Sequence, residues 1–169
     1  LAVLGEFVYA AYNDSVIEDE ALLDPYNMYM TMDRDFLALP PLAQVVTDSH
    51  FSQRRRLCRL IGFVARIVED GWSAAAVGIG IDEQTAVVVG PDGVGKVLGS
   101  GTVTLLHSNG APTQCVAGQP LALRRRQLGK AERQIAPPHR RPRSAQREQQ
   151  PADRSAQLTE PAVGQKGGE

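Results

Sequence analysis

The chain has 169 residues, 43% hydrophobic and 22% charged, with a formal net charge of −1. That length suits one domain with its own core, and no run approaches the roughly 18 apolar residues that a membrane-spanning helix needs. Two cysteines, Cys58 and Cys115, form neither a disulfide framework nor a metal-ligand spacing, so metal and cofactor chemistry are not expected.

The charge is unevenly spread. Residues 1–123 hold 7 Lys/Arg against 14 Asp/Glu, a net of −7, whereas residues 124–169 hold 11 against 5, a net of +6. All nine aromatic residues lie at or before Trp72. The packed core is therefore expected within residues 1–123.

Taken in chain order, Leu1 to Tyr12 places Leu1, Leu4, Val8 and Ala11 on one face, a spacing that predicts a helix covering a sheet, ended by Asn13-Asp14-Ser15. Val16 to Pro41 is acidic, broken by Pro25, Pro40 and Pro41, and carries Tyr26, Met28, Tyr29, Met30 and Met32. A stretch of this length without clear periodicity reads as an excursion near a site, and its methionine–tyrosine cluster as loop or core packing.

Ala43 to Thr47 reads as a short buried strand, Asp48 to His50 as the loop at its end, and Phe51 to Glu69 as an amphipathic helix. His50 then stands at the C-terminal end of a strand, the edge where open α/β sheets bind ligands. Its pKa range suits a general base; a solvated histidine at a helix start is the plainer alternative. Arg54, Arg55, Arg56 and Arg59 crowd the expected first turns, where the helix dipole disfavours cations. Recognition of a substrate carboxylate by Arg54, Arg56 and Arg59 would explain them. Surface or structural ion pairs with the acidic stretch from Glu18 to Asp24 are the alternative. Arg55 falls out of step with the others and is expected in solvent.

Trp72 to Ala76 leads into a strand ending at Ile81, followed by Asp82-Glu83 and the strand-like runs Thr85 to Val89, Val94 to Leu98 and Gly101 to Leu106. Pro91-Asp92-Gly93 and Gly99-Ser100-Gly101 between them read as hairpin turns. An acidic pair between apolar runs is either a turn facing water or a carboxylate with a task, such as orienting a histidine. Gly93-Val94-Gly95-Lys96 lacks phosphate-loop spacing, and His107 is expected to be structural.

From Arg124 the composition becomes basic and poor in bulky apolar residues, a low-complexity tail expected to be disordered and strandless. Such a tail could meet nucleic acid through phosphates. Without aromatics to stack on bases, no specific nucleic-acid partner is expected.

The pattern D-x-H-F-x-x-R-x-R-x-x-R-L from Asp48 to Leu60, followed by G-I-G-I-D-E-x-T-A-V-V-V from Gly78 to Val89, resembles cyanophycinase and its peptidase E-like serine peptidase relatives. The resemblance covers about Leu1 to Leu121 and implies an α/β fold, part of a doubly wound, flavodoxin-like sheet of the class I glutamine amidotransferase kind. It implies a Ser–His–Glu triad that cleaves peptide or isopeptide bonds beside acidic residues, with His50 as base and Glu83 as orienting acid. Asp48, Ser49, Arg54, Arg56 and Arg59 fall where the family places substrate-binding residues. Ser49 replaces the usual glutamine and Cys58 the usual glycine. The family's G-T-S-A-G elbow is not matched, since no G-x-S-x-G occurs in the chain. The expectation is thus a C-terminal part, inactive alone, acting on acidic peptides and compatible with a homodimer. A noncatalytic module binding anions through the arginines or the tail is the other reading.

Overall fold

The computed structural model describes residues 5–35, 37–124 and 127–134. In chain order these form β1 (Phe7–Tyr9), α1 (Glu18–Leu23), β2 (Met32–Arg34), a 3-10 turn (Pro40–Leu42), β3 (Val45–Ser49), α2 (Leu57–Glu69), β4 (Val77–Ile81), β5 (Thr85–Val89), β6 (Gly95–Gly99), β7 (Thr102–Ser108) and β8 (Leu128–Gln134). Six strands make one sheet in the order β2-β1-β3-β4-β7-β8, and β5 and β6 form a separate pair. β3 lies parallel to both β1 and β4, while the remaining pairs in the sheet are antiparallel. This mixed sheet with its helices is an α/β architecture, compatible with the flavodoxin-like class expected.

β3, α2 and β4 form the centre. Val45, Val46, Thr47 and Asp48 are all buried, the continuous burial expected of an inner parallel strand rather than the alternation of an edge. α2 has the apolar period of a helix with one covered face. It buries Leu60, Phe63, Val64 and Ile67 in a core that includes Phe7, Val46, Met30 and Leu106. In β4 the glycines face that helix. A Cβ on Gly78 would lie 2.9 Å from Leu60, and one on Gly80 would lie 2.4 Å from the Phe51 ring. Only glycine lets these side chains press against the strand backbone.

Several expectations are corrected. Leu1–Leu4 lie outside the described residues, but residues 5–12 contain a strand, not the expected helix. Phe7, Val8 and Tyr9 have strand propensity and pair on both sides, Phe7 meeting Arg34 of β2 and Val46 of β3. α2 begins at Leu57, not Phe51. Residues 51–56 are turns, with Phe51 only 4% exposed and Arg55 at φ 50°. Pro91-Asp92-Gly93 does connect an antiparallel hairpin, β5 to β6. Gly99-Ser100-Gly101 does not connect another, because β7 leaves β6 and pairs with β4. Past Leu123 the tail is not strandless: β8 pairs with β7 from Thr102↔Gln134 to Ser108↔Leu128. The rest of the expected tail, residues 125–126 and 135–169, lies outside the described residues.

Candidate active site

The register of β3 on β4 determines what meets at the sheet edge. Asp48 stands opposite Gly80 and Ser49 opposite Ile81. The residues that follow on each strand, His50 on one and Asp82-Glu83 on the other, therefore leave the sheet together. His50 takes a left-handed backbone, φ 49°, which turns the chain sharply. The next amide, of Phe51, donates to the carbonyl of Ile81 at 3.2 Å and closes the turn onto β4.

This brings His50 Nδ1 to 2.7 Å from Glu83 Oε1. The carboxylate can only accept, so Nδ1 carries the shared proton and the neutral ring keeps its lone pair on Nε2. Both side chains are about half exposed, 46% and 48%. Glu83 is fixed through its backbone: its amide donates to Gln53 Oε1 at 3.1 Å, and its carbonyl accepts from the Thr85 hydroxyl at 3.0 Å. Asp82, 8% exposed, accepts from the amides of Ser52 and Thr102, each at 2.9 Å. Burial alone would push its carboxyl up, but hydrogen bonding from the Ser52 amide and side chain and from the Thr102 amide outweighs it and holds it below its ordinary value.

Asp48 is 2% exposed and Arg59 3%. The Arg59 guanidinium grips the carboxylate bidentately, Nε to Oδ2 at 2.7 Å and Nη2 to Oδ1 at 2.5 Å. Its remaining nitrogen donates to Ser15 Oγ at 2.8 Å, and the group lies over the Tyr9 ring at 4.9 Å. Arg56 donates to the Ser49 carbonyl at 2.6 Å and reaches Asp48 Oδ1 at 3.3 Å. Arg55, 82% exposed, pairs with Glu18 at 3.1 Å. Among the described residues, Arg54 is exposed and makes no ion pair. These arginines and residues 15–19 line a cavity of about 410 Å³.

Comparison with known proteins bears on this arrangement. No protein-family model matches the chain. The cyanophycinase of Synechococcus elongatus is 32% identical over 105 residues, 62% of this chain and 28% of the relative. That of Geminocystis herdmanii is 32% identical over 105 residues, 62% of this chain and 33% of the relative. That of Trichormus variabilis is 42% identical over 65 residues, 38% of this chain and 20% of the relative. The chain is similar to cyanophycinases. It spans a third or less of the length of these relatives.

Both departures from the cyanophycinase pattern have a structural place. Ser49 lends its amide to Asp48 Oδ1 at 2.9 Å and its carbonyl to Arg56. Cys58 donates its thiol to Glu18 Oε1 at 3.4 Å, and burial followed by that carboxylate pushes its pKa up to about 11. Sequence reasoning singled out seven of the residues whose contacts are described above, His50, Glu83, Asp48, Ser49, Arg54, Arg56 and Arg59. It missed Gln53, Ser15 and the specific contacts of Asp82 and Glu18. Asp82 was visible as half of an acidic pair between apolar runs and Glu18 as the start of an acidic stretch able to pair with the arginines, whereas nothing in the sequence marks Ser15 or Gln53.

Proposed function

We propose that the chain carries the base and the orienting acid of a serine-type peptidase that cleaves peptide or isopeptide bonds next to acidic residues. The single observation behind this is the 2.7 Å bond from His50 Nδ1 to Glu83 Oε1 at the C-terminal edge of β3 and β4. With Glu83 accepting from Nδ1, Nε2 is the nitrogen available to take a proton. In the acyl transfer, a serine hydroxyl attacks the scissile carbonyl as His50 takes its proton. His50 then returns that proton to the leaving amine, and Glu83 stabilises the imidazolium formed between the two events. Water afterwards releases the acyl group by the same route.

Among the described residues no hydroxyl or thiol side chain hydrogen-bonds to His50. In this reading the nucleophile reaches Nε2 from outside the described residues, and the purified chain is expected not to cleave. For the acidic side chain, Arg54 is available among the described arginines of the 54–59 stretch, because Arg55 pairs with Glu18 and Arg56 and Arg59 pair with Asp48. The name shared by the relatives and the paired motifs around His50 and Glu83 support a peptidase-like reading in general.

Titration of aspartyl and isoaspartyl dipeptides into the purified chain, followed by NMR, tests the proposal. The expected result is binding that moves the His50 ring signals, weakens with salt and with Arg54→Ala, and is accompanied by no cleavage. Binding that leaves His50 unperturbed would favour a plain anion-binding module. Cleavage that survives His50→Ala would refute the assigned base.

A further inference from the structure

Asp82 takes no part in the chemistry just described, yet its carboxylate is only 8% exposed and is bonded to two separate chain segments. An ion pair as open to water as His50 and Glu83 holds itself together only weakly, because solvent screens it and ordering two side chains opposes it. A base and its acid that must stay in register need their backbones fixed instead. The Asp82 carboxylate does this from one point. Oδ1 accepts from Ser52, two residues after His50, and Oδ2 accepts from Thr102 at the start of β7. Three chain segments are thereby tied together: the turn after β3, the turn after β4 and the first residue of β7.

The surrounding contacts share this geometry. Gln53 receives the Glu83 amide, Thr85 Oγ1 receives the Gly101 amide at 2.9 Å, and the Ser100 amide donates to the Gln84 carbonyl at 3.1 Å. A Cβ on Gly101 would lie 2.7 Å from Asp82 Cβ, so this approach requires glycine there. Gln84 holds a left-handed φ of 52°, the bend that lets Glu83 face His50 while the chain turns into β5.

We infer that Asp82 is a positioning residue, which sets the distance and the tautomer of the His50–Glu83 pair by clamping the turn after β3 to the turn after β4. The inference rests on the reading of His50 as base and Glu83 as its orienting acid. Asparagine at this position would present one oxygen and one NH₂ group to two N–H donors. One arm of the clamp would become a repulsion, with almost no change in volume.

The test is ¹⁵N NMR of the imidazoles in the full chain at a pH where His50 is neutral, with its signals assigned through His50→Gln. In the wild type His50 is expected as the Nδ1-protonated tautomer. In Asp82→Asn that share falls by roughly twofold or more toward the Nε2-protonated form of an unconstrained ring, while the His107 signals stay unchanged. Wild-type His50 signals in Asp82→Asn would overturn the inference and leave the pair itself standing. If Asp82→Asn does not fold, Asp82→Glu decides: it keeps both acceptor oxygens on a longer stem. The share is then expected between the wild type and Glu83→Ala, and a wild-type value would overturn the inference. His50 signals unmoved by Glu83→Ala would instead sink the underlying reading of the pair.

Discussion

At the scale of single residues, charge in this chain divides into two kinds. Asp48 and Arg59 are buried together, and burial of two charges is tolerated only when each finds a full set of partners. Here every guanidinium nitrogen has one, on Asp48 or Ser15. Arg59→Met would leave the buried Asp48 charge with Arg56 and the Ser49 amide as its remaining partners among the described residues. The expected loss of stability is about 3–5 kcal/mol in denaturant unfolding, against about 0.5 kcal/mol or less for the exposed Arg54→Ala. Equal effects of the two substitutions would contradict this division. The D-x-H and R-x-R-x-x-R spacings made all these residues visible in the sequence. Which arginine faces inward was not visible, because that depends on Tyr9 and Ser15, distant in sequence and brought alongside only by the fold.

At the scale of elements, the long apolar periods were legible and the short ones were not. The body of α2 shows its covered face in Leu60, Ile61, Val64 and Ile67. Its start was misplaced because Phe51 is as apolar as a helix residue, yet it serves as a plug against Gly80. β1 is three residues long, too short for a period-2 pattern to outweigh a helical one. The acidic excursion of residues 16–41 is held to α2 by contacts no local pattern announces. The Tyr26 hydroxyl donates to Asp70 Oδ1 at 2.5 Å, and Arg66 donates to the Met30 carbonyl at 2.7 Å and to Asp70 Oδ2 at 3.1 Å. The Arg66 guanidinium also lies over the Tyr26 ring at 4.3 Å. Burial, then the hydrogen bond to Asp70, pushes the Tyr26 phenol well above its ordinary pKa. Tyr26→Phe removes that bond and keeps the ring. The expected cost is about 2 kcal/mol, since the acceptor is charged, read as a lowered denaturation midpoint with an unchanged slope. No shift in midpoint would show that this tether is not needed.

At the scale of the whole molecule, the site is a consequence of topology. Parallel pairing of β3 and β4 makes both strands end at one edge, so two residues 33 positions apart arrive side by side. The two motifs and their order were readable in the sequence. The crossing of β7 back to β4, which brings the Thr102 amide to Asp82, was not, because a glycine-rich spacer looks the same whether it joins a hairpin or leaves one. The account stands or falls on the His50–Glu83 bond, and the low-field ¹H spectrum of the chain tests it most directly. A downfield Nδ1–H proton, recorded just above freezing because the pair is half exposed to water, is expected in the wild type and absent in Glu83→Ala and His50→Gln. A folded wild-type chain with no such resonance at that temperature, or one whose resonance survives Glu83→Ala, would contradict it.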